Sequence, residues 1–318
     1  MPILYLTEAE VARVLTIDLA LETTAAAFRK LALDEAVNNT RQRCQTDHVL
    51  LHVLPAAAKT LGAIGFKAYT SSKHGVQFHV TLFDPKLGGI TAILEADLIG
   101  QFRTGAASGV ATKKLARADA STVGMFGTGK QARTQLLAVC KVRKIKTAYV
   151  YGRDAERRKA FAAELSAETG VEVVPVEKPE EAAKGRDIVI TATGAREPVL
   201  FGEWVSAGQH INLIGSNFLG KTETDVEVFR RTTLVSVDSK EQAKLEAGDF
   251  VEPTKAGVLQ WSDVLEFAPL FVGRYPGRES PQDVTLFKSL GLGIEDIALA
   301  VKVVELAKQQ GLGRDLLA

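Results

Sequence analysis

Thr122-Val123-Gly124-Met125-Phe126-Gly127-Thr128-Gly129-Lys130-Gln131-Ala132 is the stretch on which the fold of this chain turns. The apolar run Val123 to Phe126 enters a glycine turn. The residues after it, Gln131 to Val139, carry apolar side chains at a spacing near that of a helix. Strand, glycine turn and helix in that order make a cradle for a pyrophosphate. Gly127 makes the tight turn, Gly129 admits close backbone approach, and the helix start directs free N–H groups at the anion. Ala132 takes the third position, where a small residue lets helix pack on strand. Thr128, Lys130 and Gln131 complete the turn and the first helical residues. Alone, G-x-G-x-x-A is also the spacing of an ordinary strand-to-helix turn.

The residues downstream extend the pattern. A second strand, Thr147 to Tyr151, ends in Gly152-Arg153-Asp154, about 25 residues past Gly127, where such folds meet the adenosine ribose. An acid at that strand end would bind the ribose hydroxyls of NAD(H). Gly152 stands there instead, followed by Arg153, whose planar fork suits a 2′-phosphate, so NADP(H) is the expected cofactor and NAD(H) the alternative. Asp154 would repel that phosphate unless it caps the helix beginning at Ala155. Arg153 also has a plainer reading, as a solvated loop arginine. Strands and helices alternate from there to about residue 285, implying a doubly wound parallel sheet of the Rossmann type, an α/β fold.

Composition narrows the function classes. The 318 residues are 46% hydrophobic and 24% charged, with 39 basic against 38 acidic side chains. That balance argues against nucleic acid or an anionic membrane as the main partner. No apolar run approaches the roughly 18 residues of a membrane span. The amino terminus lacks the basic start of a signal peptide, and Cys44 and Cys140 form no metal-type pair. A cytoplasmic protein is expected.

Before the glycine turn the pattern differs. Thr7 and Glu10 have capping-box spacing, a second helix is expected after Asp18, and strands are expected at 41–46, 49–55, 61–69, 79–84 and 91–95. A helix from Asp97 to Leu115 carries Arg103 on an otherwise apolar surface, and an apolar-faced helix closes the chain between Gly293 and Gly311. The expected organisation is an α+β substrate-binding and dimerisation domain, residues 1–104 with 290–318, around a dinucleotide-binding domain, residues 105–289.

Several stretches, in this order, resemble the ornithine cyclodeaminase and mu-crystallin family over nearly the whole chain. They are Gly65-Phe66-Lys67, Arg103 to Ser108, Gly127 to Ala132, Glu197-Pro198-Val199-Leu200-Phe201, His210 to Gly215 and Thr285 to Gly291. The resemblance implies a homodimer, a nicotinamide cofactor and small 2-amino or 2-imino acid substrates. It also implies that Arg41, Lys67 and Arg103 hold the substrate carboxylate, a role that suits two guanidinium forks and an ammonium. Thr104, Thr191, Thr193 and Leu292 fall to the cofactor, although Thr191 and Thr193 also read as a polar strand end and Leu292 as core.

The sequence departs from the cyclodeaminases and archaeal alanine dehydrogenases of the family at Gly215-Ser216-Asn217. Those proteins carry an aspartate where Asn217 stands. An amide can orient a substrate but takes no proton at neutral pH, so it cannot act as base for an ammonium. Mu-crystallin lacks the aspartate too and resembles a ketimine reductase. The expected activity is therefore NADPH-dependent reduction of Δ1-pyrroline-2-carboxylate or Δ1-piperideine-2-carboxylate to L-proline or L-pipecolate, with Lys67 and Asn217 the catalytic candidates. Oxidation of alanine or cyclodeamination of ornithine with NAD is the second reading. A nucleotide-binding protein with little catalysis is the third. His48 and His52 lie four apart, but their run reads as strand, and no metal site is expected. His74 and His79 are read as flanking a glycine-containing turn, in reach of substrate.

Overall fold

The Thr7 capping box closes: the Thr7 hydroxyl accepts from the Glu10 N–H and the Glu10 carboxylate from the Thr7 N–H, satisfying amides that a helix start leaves open. In the computed structural model, which describes residues 2–317, this box follows strand β1 (Leu4–Leu6) and opens helix α1 (Glu8–Val14). Helix α2 (Ile17–Ala32) begins one residue before Asp18, because the Thr16 hydroxyl accepts the Leu19 N–H and so sets the start. Asp18 then occupies the first turn, where the helix dipole favours an acid.

Six strands follow: β2 (Ala36–Asn38), β3 (Gln42–Gln45), β4 (Val49–Ala58), β5 (Ala63–Ser72), β6 (Gly75–Phe83) and β7 (Ile90–Glu95). They form a mainly antiparallel sheet in the order β1-β7-β6-β5-β4-β2, with β3 also paired to β4 and β1 parallel to β7. From His52 onward in β4 the even positions, His52, Leu54, Ala56 and Ala58, are buried while the odd ones stay half-exposed, as the period of two requires. Helix α3 (Asp97–Leu115) comes next. The chain divides into two units, Met1–Arg103 with Gly291–Ala318, and Thr104–Leu290.

The second unit contains β8 (Thr122–Phe126), α4 (Lys130–Val142), β9 (Thr147–Tyr151), α5 (Ala155–Thr169), β10 (Glu172–Pro175), β11 (Ile188–Thr191), β12 (His210–Leu213), α6 (Val226–Arg231), β13 (Leu234–Val237), α7 (Lys240–Glu246), α8 (Val251–Lys255), β14 (Leu265–Glu266), α9 (Phe267–Phe271) and β15 (Thr285–Lys288). Its sheet is parallel throughout, in the order β10-β9-β8-β11-β12-β15-β13-β14. Val123, Met125, Ile188 and Ile190 pack on one face with Ala132 and Leu136 of α4, while Phe126, Val189, Ile211 and Leu213 pack on the other. Burial on both faces explains why these short strands read as continuous apolar runs. Strand order reverses between β8 and β11, and in such sheets ligands bind beyond the carboxyl ends of the strands at that point. The strand β15, which the sequence pattern does not single out, separates β12 from β13.

The chain then returns to the first unit as α10 (Gly293–Gln309), which packs on α2, β4, β5 and β6, and β16 (Arg314–Asp315), which pairs with β1. Among the described residues no helix is long and apolar enough to cross a membrane.

Candidate active site

A pocket of about 750 Å³ opens in the second unit at the strand-order reversal, lined by Phe126 to Gly129, by Tyr151 to Asp154 with Arg157, and by Ala192 to Val199. Gly127 is held at φ +112°, and a Cβ there would fall 2.4 Å from the Ala192 carbonyl oxygen. Only glycine makes this turn. Gly129 is the N-cap of α4, with no side-chain cap and nothing within 4 Å of where its Cβ would be. Space is therefore open beside Gly129 at the start of α4, where a helix amino terminus suits a pyrophosphate. Where Gly152 follows β9, a Cβ would crowd the Thr128 side chain.

Asp154 is the N-cap of α5 and accepts from the Arg157 N–H, so its carboxylate is engaged by the helix. Arg153 and Arg157 both line this end of the pocket and are exposed. Arg157, missed in the sequence, donates from Nε to the Thr128 carbonyl at 3.3 Å. Its signal was available, since it lies one helical turn beyond Arg153. Thr193 lines the pocket. Thr191 does not: it is fully buried and its hydroxyl donates to Glu223 at 2.7 Å. Lys130 is exposed and Ala132 buried at the start of α4, and Thr104 is buried in α3. Asn217 is half-buried in the loop after β12, where the Ser216 hydroxyl donates to the Lys221 carbonyl at 2.7 Å.

The first unit holds a buried charge cluster. Arg41, Lys67 and Arg103 are 7%, 2% and 8% exposed. The Lys67 Nζ lies 2.8 Å from Asp296 Oδ1; Arg103 gives Nε to the same oxygen at 3.2 Å and Nη1 to Glu295 Oε2 at 2.9 Å. Both acids sit in the first turn of α10 and are fully buried. Two glycines leave room for the cations. A Cβ on Gly100 would fall 2.7 Å from the Lys67 Nζ, and one on Gly291, at φ +83°, 2.4 Å from the Arg103 Nη1. The Asn38 Oδ1 accepts the Ile294 N–H at 3.0 Å, pinning the start of α10 to β2. Leu292, assigned to this unit, is the buried N-cap of α10.

Burial pushes the Lys67 ammonium down to about 8; Asp296 opposes that shift, while Arg103 and Arg41 add to it. Beside it the His52 ring stacks on Tyr69 with centroids 4.1 Å apart and takes a hydrogen bond from Arg43 Nε. Burial, then Arg43 and Arg41, push His52 down to about 4, so it is neutral at physiological pH. The cluster thus brings three cations together with two acids that the sequence reading missed. Adjacent acids at the start of an apolar helix were the available signal.

One histidine expectation changes. His79 lies within β6 and lines a hollow with Glu8, Glu95 and Asp97, because β6 begins at Gly75 and only His74 remains in the turn. His48 is exposed while His52 is buried. Among the described residues no group of three or more His, Cys, Asp or Glu side chains is placed to hold a metal ion.

The model of the ornithine cyclodeaminase/mu-crystallin family matches residues 3–311. The Δ1-pyrroline-2-carboxylate reductase of Bacillus cereus is 35% identical over 272 residues, covering 83% of each chain. A solved structure of the Thermococcus litoralis Δ1-pyrroline-2-carboxylate reductase in complex with NADH and L-proline superposes with a TM-score of 0.94 at 36% identity, covering 99% of this chain and 100% of that one. An archaeal alanine dehydrogenase dimer with bound NAD has a TM-score of 0.93 at 33% identity, with 99% of each chain covered. On the family match and these relatives, this chain belongs to the ornithine cyclodeaminase/mu-crystallin family.

Proposed function

We propose that this protein reduces cyclic 2-imino acids, Δ1-pyrroline-2-carboxylate or Δ1-piperideine-2-carboxylate, to L-proline or L-pipecolate. It is an NAD(P)-dependent oxidoreductase acting on carbon–nitrogen bonds. The observation that carries the reading is the withdrawal of Arg41, Lys67 and Arg103 from solvent, where charge-assisted hydrogen bonds to a carboxylate are strongest. When bound, a reduced nicotinamide supplies hydride to the imine carbon. The two arginines and Lys67 fix the carboxylate and hence the ring. Lys67, charged below about pH 8, holds a proton that the ring nitrogen gains as its carbon gains hydride. Asn217 orients the substrate by hydrogen bonding and takes no proton. Arg153 and Arg157 support NADP(H) as the preferred cofactor, with NAD(H), bound by the solved relatives, as the alternative.

Amino-acid oxidation is the second reading, favoured by the likeness to the alanine dehydrogenase and opposed by the amide of Asn217. We also infer a homodimer. The half-exposed face of the first unit's sheet carries Val53, Pro55 and Ala57 of β4 with Phe66 and Ala68 of β5, an apolar surface suited to a second copy. A reducing compartment suits Cys44 and Cys140, both free thiols. The test is a side-by-side assay of reduced-nicotinamide consumption with each cyclic imine, and of its formation from alanine or ornithine. Fast imine reduction with NADPH is expected; brisk alanine or ornithine oxidation without imine turnover would overturn the reading.

A further inference from the structure

Glu223 lies between β12 and α6 and is fully buried. Both of its oxygens are engaged in the same way. Oε1 accepts the Thr193 N–H and the Thr193 hydroxyl, and Oε2 accepts the Gly215 N–H and the Thr191 hydroxyl, each at 2.7 Å. Each oxygen therefore takes one backbone amide and one hydroxyl, and the two amides belong to the chain leaving β11 and the chain leaving β12. Packing here admits no further atom: a Cβ on Gly215 would fall 2.2 Å from the Thr193 carbonyl oxygen and 2.4 Å from Glu223 Oε1. The Glu223 N–H donates to Asp249 Oδ1 at 2.6 Å, and Asp249 Oδ2 lies 2.8 Å from the buried Lys288 Nζ. Strand β15 thus anchors the knot.

Burial and the Asp249 charge push the Glu223 carboxyl upward, against Lys288 and the threonine hydroxyls. Each oxygen nonetheless meets one backbone N–H that cannot reverse, which favours an acceptor at both positions. Residues Thr193, Gly194 and Ala195, which leave β11, form the pocket wall on the side of the strand-order reversal away from β9. The β9 end meets the adenosine ribose, so this wall faces the other half of a dinucleotide.

We propose that Glu223 is a positioning residue for the nicotinamide half of the cofactor, fixing the backbone at Thr193 and Gly215 through paired amide and hydroxyl bonds. The inference rests on the pocket being a dinucleotide site. Glutamine is the informative replacement. Whichever way its amide turns, the NH₂ group meets a backbone N–H that cannot reverse, so one strand end is released.

The experiment measures binding of NADH and of ADP-ribose, each also as its 2′-phosphate, to wild type and Glu223→Gln. The expected result is a dinucleotide Kd raised about tenfold with ADP-ribose affinity unchanged, which global loosening would not produce. Unchanged affinity for both, or equal loss of both, overturns the positioning role. Wild type binding neither ligand would instead overturn the dinucleotide reading. Should Glu223→Gln fail to fold, Thr191→Val removes one hydroxyl donor; the same split supports the proposal, and its absence overturns it.

Discussion

The Lys67 ammonium and the Asp296 carboxylate lie 2.8 Å apart with both side chains withdrawn from water. Burial outweighs the attraction, and Lys67 loses its proton near pH 8 instead of at 10.5. Below that pH it is charged, as the proposed hold on a substrate carboxylate requires; above it the cluster loses a cation. L-Proline, whose carboxylate stays ionised across this range, should bind the NAD(P)⁺-saturated protein with constant affinity up to about pH 8 and about tenfold weaker per unit just beyond it. Lys67→Arg should abolish that limb, because a guanidinium stays charged. Stability moves the other way. Between about 8 and 10.5 the unfolded chain binds the extra proton, so this group's contribution to stability rises with pH. Proline affinity flat to alkaline pH in the wild type would show that Lys67 does not hold the carboxylate.

Gly291→Ala tests the room left for Arg103. The new methyl would sit 2.4 Å from the guanidinium, on backbone at φ +83°. Strain of about 1–2 kcal/mol predicts a Tm lower by about 1–3 °C. The KM for imine should rise about tenfold while the nucleotide Kd holds. Equal effects on both ligands would indicate general loosening.

Cofactor choice is read at Arg153 and Arg157. Replacing both with alanine should raise the NADPH Michaelis constant about tenfold or more and leave that for NADH nearly unchanged. A matched change in the two constants would remove the 2′-phosphate argument.

Asn217→Asp introduces a group able to accept a proton. Oxidation of L-alanine or L-ornithine with NAD(P)⁺ should rise by about a hundredfold, the low end of general-base effects, with imine reduction retained. Rapid oxidation already present in the wild type would mean that another residue supplies the base.

The fold was legible where local chemistry and burial agree. The glycine turn, strand β9 and the Thr7 capping box show in the sequence because each is decided by near neighbours. Strands β1 and β2, three residues each, are too short to display alternation, and β15 takes its place between β12 and β13 through pairing alone. At the candidate site, the cations carried a recognisable pattern. Glu295 and Asp296 showed only as adjacent acids at a helix start, their partners Lys67 and Arg103 lying far away in the chain, and Glu223 gave no local signal because its partners, such as Thr193, are distant in sequence.

The most direct measurement uses NADPH carrying deuterium at both C4 positions of the nicotinamide with Δ1-pyrroline-2-carboxylate and, separately, Δ1-piperideine-2-carboxylate, followed by analysis of the proline or pipecolate formed. Hydride transfer onto the imine carbon predicts L-proline or L-pipecolate carrying one deuterium at Cα. Product without label, or no product from either imine while NADPH is bound, would contradict imine reduction as the activity of this protein.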